Sequence, residues 1–463
     1  MTSVMSTDAT LTRQTSGDLL AGALLVGLLA AYYFAPWWLA VPLTVAFGVA
    51  AWWRLDIALL LVPLTAPAYR APKVFDLTAL GRADPFEVSL VEFTVLLCAA
   101  AWSARLLRRP PGVPAQEVSW RTALLPPAAF LLAALATLPF TGQMKEALRE
   151  LRTVVAEPAL FYLLATTTWR SMADVWRALM ALAGLGIGMA LFSLYHYWVI
   201  GVVENTGGVK RILAIYHSPN HLALALGRLM PVALALVLFA GLVRRSRALG
   251  VTPAVALALM TVVLYFTYSR GALIGIAAAG LLLLAGWRWR LALGAATVML
   301  VAVVVLPAVA GERMGQLLPL LQRVYVWQAA WAMALDHPLF GVGLDNFLYQ
   351  YPRYILAEAK LEPEISHPHN LFLDFWLRMG ILGLAALLLV QCQFWGHVRR
   401  LVAQQDVWAK WAGLALAASM VDFLVHGLID NSYFLIDLAF LFWLTVALAA
   451  VAEQSLRPYR TTA

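Results

Sequence analysis

Charge is scarce in this chain. Aspartate, glutamate, lysine and arginine make up 13% of its 463 residues, about half the share of a soluble domain. Cysteine is scarcer still. Cys98 and Cys392 stand alone in apolar surroundings, which excludes a disulfide framework and a cysteine metal site and leaves packing as their role. Polar stretches of domain length are also missing, so the about two or three soluble domains that length alone would suggest are excluded. What is present is apolar: 62% hydrophobic residues and a mean hydropathy of +0.78. The bilayer is the solvent. The expected fold class is all-α, a polytopic integral membrane protein forming one helical domain.

Apolar runs near the crossing length of about 20 residues fall at 18 to 35, 37 to 53, 55 to 69, 86 to 106, 121 to 140, 152 to 168, 175 to 200, 219 to 243, 253 to 268, 270 to 286, 290 to 310, 371 to 396, 408 to 429 and 433 to 452. The third is short, and the tight joins at Pro36, Arg54, Ser269 and Asp430 can each hold a re-entrant pair. Twelve to fourteen transmembrane helices are expected. They divide into spans one to eleven over 1–310, a polar loop over 311–370 and C-terminal spans over 371–463.

Orientation follows from the basic residues. With a cytoplasmic N-terminus, the inner side receives Arg54, Arg105, Arg108, Arg109, Arg170, Arg177, Arg244, Arg245, Arg247, Arg399, Arg400 and others, against few acids. The net charge of +8 is then a topology signal with anionic lipid headgroups as partner, and nucleic acid is not expected. The segment before Asp18 has no cleavage pattern and reads as an uncleaved anchor. Tryptophan pairs near span ends, such as Trp37 with Trp38 and Trp52 with Trp53, read as interfacial belts.

Basic residues on the outer side need a separate reason: an anionic substrate, or pairing with outer acids. Three positions stand out. Arg270, in Tyr268-Ser269-Arg270-Gly271, is wedged between two apolar runs with no acid near it in sequence, where an uncompensated charge is expensive. Arg211 opens the stretch RILAIYHSPN, whose Pro219 and Asn220 mark a helix start. There a guanidinium and a helix N-terminus present positive potential to one anion. His369 lies in Ser366-His367-Pro368-His369-Asn370, a loop-to-helix junction, where a positive helix end disfavours imidazolium and leaves a neutral base. A snorkelling arginine or an ordinary interfacial histidine is the plain alternative for each.

Weaker signals surround these. Trp327, Trp331 and Leu335 repeat at four-residue spacing within Val324 to Leu335, an amphipathic helix that either lies on the outer leaflet or packs. His217 and His221 have i, i+4 spacing, but Pro219 between them is expected to break the helix a metal pair needs. His337 sits in a turn motif. His426 and Asp430 lie one turn apart at the outer end of a span, and Glu92, Arg228, Arg378 and Asp422 fall within spans, where helix-to-helix pairing is expected.

Taken in order, these residues resemble the O-antigen ligase and polymerase family. His369-Asn370, nine residues, then Gly380-Ile381-Leu382-Gly383 is similar to its HN-x9-GxxG pattern, and Asp336 to Phe347, DHPLFGVGLDNF, resembles its preceding segment. Tyr268 to Gly275, YSRGALIG, resembles its Arg-Gly helix start, and Arg211 with Ser218-Pro219-Asn220 its other arginine loop. The match covers residues 205 to 385, a little over a third of the chain.

The resemblance implies a GT-C-like membrane glycosyltransferase of the bacterial inner membrane, acting on the periplasmic side with a glycan on undecaprenyl diphosphate as donor and no cofactor or metal. It implies His369 as catalytic base for the acceptor hydroxyl and Arg211 and Arg270 as clamps on the diphosphate. Asn370, Asn220, His426 and Asp430 are the candidate supporting positions. An O-antigen ligase with lipid A-core as acceptor is the first expectation. A polymerase extending the glycan itself is the alternative, favoured by an outer face whose acids outnumber its bases. A polysaccharide or lipid-linked sugar transporter is the reading from another class, and it would require mid-membrane charges and an internal repeat.

Overall fold

The structure is a computed structural model that describes residues 15–75, 86–108, 120–206, 208–244, 246–310, 318–356 and 364–456. Leucine, alanine and valine runs form the helices α1 (Thr15–Phe34), α2 (Trp37–Trp53), α3 (Leu55–Thr65), α4 (Leu90–Leu107), α5 (Leu125–Thr137), α6 (Met144–Glu150), α7 (Glu157–Thr168), α8 (Met172–Tyr195), α9 (Pro219–Leu238), α10 (Arg247–Thr267), α11 (Arg270–Ala310), α12 (Leu318–Asp336), α13 (Leu371–Val402), α14 (Val407–Gly427) and α15 (Ile436–Ser455). Polar side chains fix the starts. Ser89 with Glu92 and Ser171 with Asp174 form capping boxes, and Asp406 accepts from the amides of Trp408 and Ala409.

Each of the fourteen apolar runs forms helix over most of its length, the run at 86 to 106 opening on the strand Phe86–Val88 before its helix begins at Leu90, and nine of the described helices are long and apolar enough to cross a membrane. The runs at 270 to 286 and 290 to 310 join without a loop through non-helical Arg288 (φ −148°, ψ 93°). α9, α14 and α15 form the centre, with Phe440, Trp443 and Ala447 fully buried on α15. Outer helices turn Val45, Leu132 and Leu293 to the exterior at more than 60% exposure. A surface of that kind belongs in lipid. The protein is a polytopic helical membrane protein, with an addition the all-α expectation omitted. Two short antiparallel ribbons, β1 (Lys73–Phe75) with β2 (Phe86–Val88) and β3 (Val203–Thr206) with β4 (Val209–Ile212), lie outside the spans.

Polar residues collect at opposite ends of the bundle. At one end Arg54 bonds Asp18 and Asp56, and Arg177 bonds Asp18, Asp56 and Asp174. These are the tips that alternate threading assigns to a single side of the membrane. Near the other end a buried arginine ties two helices together. Arg378 of α13 donates from Nη1 to both carboxylate oxygens of Glu150 on α6 at 2.5 and 2.6 Å and from Nε to Asp374 at 2.7 Å. Its guanidinium also lies 4.6 Å from the Phe434 ring centroid. The expectation that Arg378 pairs between helices is met. Glu92 pairs likewise, with Arg152.

Candidate functional site

The loop-to-helix junction forms as its residues dictate. Asn370 caps α13, its Oδ1 accepting from the amides of Phe372 and Leu373 at 3.1 Å each, while its Nδ2 donates to the Leu428 carbonyl at 2.9 Å. One side chain therefore starts α13 and ties it to the end of α14. Pro368 holds the residue before it extended, and His369 adopts φ 50°, a left-handed conformation uncommon outside glycine and found where a side chain must be aimed. Trp327 of α12 fixes that backbone by donating from Nε1 to the His369 carbonyl at 3.2 Å.

The aim is at Asp430, in the loop between α14 and α15. His369 Nδ1 lies 3.0 Å from Asp430 Oδ1. Asp430 is 4% exposed and also has His367 Nε2 at 3.7 Å and Arg323 Nη2 at 3.6 Å. Burial alone would raise its carboxyl, but the hydrogen bonds and charges of His367 and His369 outweigh it and hold the group well below the usual carboxylate range. An ionised carboxylate only accepts, so His369 Nδ1 carries a proton toward it, and in the neutral ring the lone pair is then on Nε2. His369 keeps 24% side-chain exposure.

The two arginines flank one turn. α10 ends at Thr267, Tyr268 takes φ 53°, and Arg270 is the first residue of α11. Arg211, on β4, donates from Nε to the Thr267 carbonyl at 2.8 Å and from Nη2 to Asn220 Oδ1 at 2.8 Å, with Glu204 3.2 Å from Nη1. Asn220 lies in the first turn of α9, behind the cap Ser218 and Pro219. Arg211 is thus held against the α10–α11 turn by three partners, Asn220 among them.

The Arg-Gly helix start has a packing reason. A Cβ on Gly271 would lie 2.8 Å from the His426 ring, and one on Gly275 would collide with the Asp422 carboxylate. The G-x-x-x-G spacing lets α11 approach the polar face of α14 that bears Asp422, His426 and, just beyond the helix, Asp430. A Cβ on Gly271, the residue after Arg270, would also lie 3.1 Å from the side chain of Ile429, the residue before Asp430. His426 itself is fully buried, both its ring nitrogens lack a hydrogen-bond partner among the described residues, and it supports Gly271 without a hydrogen bond to His369. Asp422 has no hydrogen bond among the described residues either, and its pairing between helices is by charge alone, with Arg228 of α9. Arg228 donates to the Ser432 carbonyl at 2.6 Å and lies 4.4 Å from the Phe423 ring centroid.

The remaining motifs interlock. α13 breaks at Gly380 (φ 63°, ψ −162°), and the segment from Pro338 to Val342 docks into the break. The Ile381 amide donates to the Pro338 carbonyl at 3.1 Å, the Val342 amide donates to the Leu377 carbonyl at 2.6 Å, and Trp376 Nε1 donates to the Pro338 carbonyl at 3.0 Å. Gly341 (φ 67°) and Gly380 sit so close to opposing backbone that no side chain fits at either. Asn346 Oδ1 accepts from the Gln143 amide at 2.7 Å, fastening the far end of the segment to the loop before α6. His337 takes part through its backbone, as a turn residue.

Sequence reasoning overlooked His367 and Arg323, both placed on Asp430. The available signal was for His367 alone, which stands two residues before His369 in the same junction. His217 and His221 do not share a helix, as the place of Pro219 at a helix start implies. Pro219 is the first residue of α9 and opens the helix, because the first helical position has no amide to satisfy. His221 instead faces Asp437 at 3.3 Å.

Residues 255–388 match the O-antigen ligase family, which bears out the resemblance seen in the motifs. That span holds Arg270, Asp336 to Phe347, His369 and Gly380-Ile381-Leu382-Gly383, while Arg211 and Asp430 lie outside it. No curated protein matches the chain.

Proposed function

We propose that this protein is a glycosyltransferase at the periplasmic face of the bacterial inner membrane, moving a glycan from undecaprenyl diphosphate to an acceptor hydroxyl, as an O-antigen ligase with lipid A-core as acceptor. The observation that carries the reading is the His369–Asp430 pair at 3.0 Å, whose histidine stands at the helix junction inside the O-antigen ligase match. The fold is GT-C-like, with twelve to fourteen crossings and the 311–370 loop on the periplasmic side.

The acceptor hydroxyl loses its proton to His369 Nε2 as its oxygen attacks the sugar C1. The bond from C1 to the diphosphate oxygen breaks, and its electron pair leaves on the diphosphate. Asp430 holds the ring in the tautomer that accepts and stabilises the imidazolium that results. Arg211 and Arg270 meet the charge building on the diphosphate, where fixed guanidiniums in a partly dry site act most strongly. Attack opposite the leaving group inverts the anomeric centre, and none of these steps calls on a metal ion.

A second reading, a polymerase of the same family, is favoured by the excess of acids over bases among the outer loops, which suits a phosphorylated core poorly. Purified protein reconstituted with an undecaprenyl-diphosphate oligosaccharide, with and without lipid A-core, separates the two. Transfer only in the presence of lipid A-core supports the ligase, a ladder from donor alone supports the polymerase, and no product from wild type in either mixture sinks both.

A further inference from the structure

We propose that His367, His369 and Asp430 form a binding site for a divalent first-row transition-metal ion of the zinc type, and that filling it switches the base off. The first half stands on geometry. The second rests on the reading of His369 as the base.

Proton transfer needs one histidine and one orienting carboxylate. This cluster holds two imidazoles on a single carboxylate. One ligand atom from each of the three lies within 4.8 Å of the others, with His369 Nδ1 at 3.0 Å and His367 Nε2 at 3.7 Å from Asp430 Oδ1. Metal–nitrogen and metal–oxygen bonds of about 2.0 to 2.2 Å place tetrahedral ligand atoms about 3.2 to 3.6 Å apart, so small side-chain rotations close the site. Two imidazoles and a carboxylate are a donor set for zinc, cobalt, nickel or copper more than for magnesium or calcium. Three protein ligands leave a position for water.

Two further features fit a ligand set. Ser366 Oγ lies 3.0 Å from His367 Nδ1, which fixes the ring from its far nitrogen and leaves Nε2 toward Asp430, the arrangement that orients metal-binding imidazoles elsewhere. The ring centroids of His367 and His369 are 4.3 Å apart and inclined at 62°, so the two rings are close neighbours beside the one carboxylate. Arg323 opposes a cation, but its Nη2 approaches Oδ2, the carboxylate oxygen that the two histidines leave free. It lowers affinity without occupying the site.

The switch follows from the tautomer. A neutral imidazole has one proton and one lone pair. With Nδ1–H on Asp430, the lone pair is at Nε2 and accepts the hydroxyl proton. An ion on Nδ1 takes that nitrogen's lone pair, the ring proton resides on Nε2, and the acceptor for the hydroxyl proton is gone.

The test is a Co2+ titration of the detergent-purified, tag-free full chain, followed by the visible absorption of low-coordinate Co2+ and displaced by Zn2+. One saturable ion per chain is expected, with affinity weakened at least about tenfold in His367→Ala and in Asp430→Asn, as loss of a ligand should exceed the roughly 10- to 100-fold effect of an outer-shell partner. Ser366→Ala, which removes only the outer hydrogen bond, should weaken it less and serves if the other variants lose a sharp melting transition. Wild type without a saturable band, or a band indifferent to all three substitutions, overturns the site. Zn2+ should abolish glycan transfer reversibly on chelation, and bound Zn2+ that leaves transfer intact overturns the switch. The two readings fail separately: a Co2+ band without any transfer activity strikes the proposed function and leaves the site standing, while transfer without a band strikes the site alone.

Discussion

Asp430 Oδ1 lies 3.0 Å from Nδ1 of His369, a residue 61 positions away in the sequence, and the bond joins the loop after α14 to the start of α13. The two elements are held there independently of that bond, because Asn370 Nδ2 also donates to the Leu428 carbonyl. The carboxylate can therefore be removed without releasing the junction, which makes its contribution measurable.

Replacing His369 by alanine should lower glycan transfer by on the order of 10² to 10⁴, the usual weight of a positioned base. Asp430→Asn should cost at least about tenfold and fall on kcat more than on KM, since an amide cannot hold the ring in the same tautomer. Steady-state kinetics in proteoliposomes reads both, and an Asp430→Asn enzyme at wild-type rate would remove the orienting role.

Arg211→Lys and Arg270→Lys keep the charge and lose the forked donor geometry. Each should reduce kcat by on the order of 10² to 10³, comparable to losing one preorganised donor to a developing anion. Arg211→Lys also forfeits the bonds to the Thr267 carbonyl and Asn220. If lysine supports full activity at either position, the clamp assignment there is wrong.

Gly271→Leu should destabilise the protein by about 1 to 3 kcal/mol through overpacking against His426, and it should depress activity by moving Arg270. Gly280→Leu is the matched control on the same helix, because no atom lies within 4 Å of the position its Cβ would take. Thermal melts in detergent compare the two, and equal melting temperatures would remove the close-approach explanation of the G-x-x-x-G spacing.

Arg378→Met leaves Glu150 and Asp374 buried without their cation. Breaking a buried pair in this way costs about 3 to 5 kcal/mol. The double variant Arg378→Met with Glu150→Gln should recover part of the loss, since one of the stranded charges is gone. Chemical unfolding in detergent measures both, and a single variant as stable as wild type would show that the cluster carries no net stability.

The sequence by itself determined the solvent, the helices and the chain order of the candidate site. Apolar runs of bilayer length have no stable alternative to helix in lipid, because each backbone amide must be satisfied within its own segment. Every such run accordingly forms helix over most of its length. The junction at His369 was equally legible, since Pro368 and Asn370 act within a turn of themselves.

Only the tertiary structure decided who meets whom. Asp430 and His426 are one turn apart in sequence and looked alike, yet Asp430 reaches His369 while His426 is spent against Gly271. The difference is that α14 ends between them and the chain turns away from the helix axis. Gly380 breaks α13 not through any local signal but because the segment from Pro338 to Val342 supplies partners to its backbone from outside. His367 and Arg323 became part of the site in the same way, through a carboxylate that belongs to neither of their elements. Local rules act over the few residues a helix turn spans, whereas a site at the end of a bundle is assembled by packing, which the linear order does not encode in any one window.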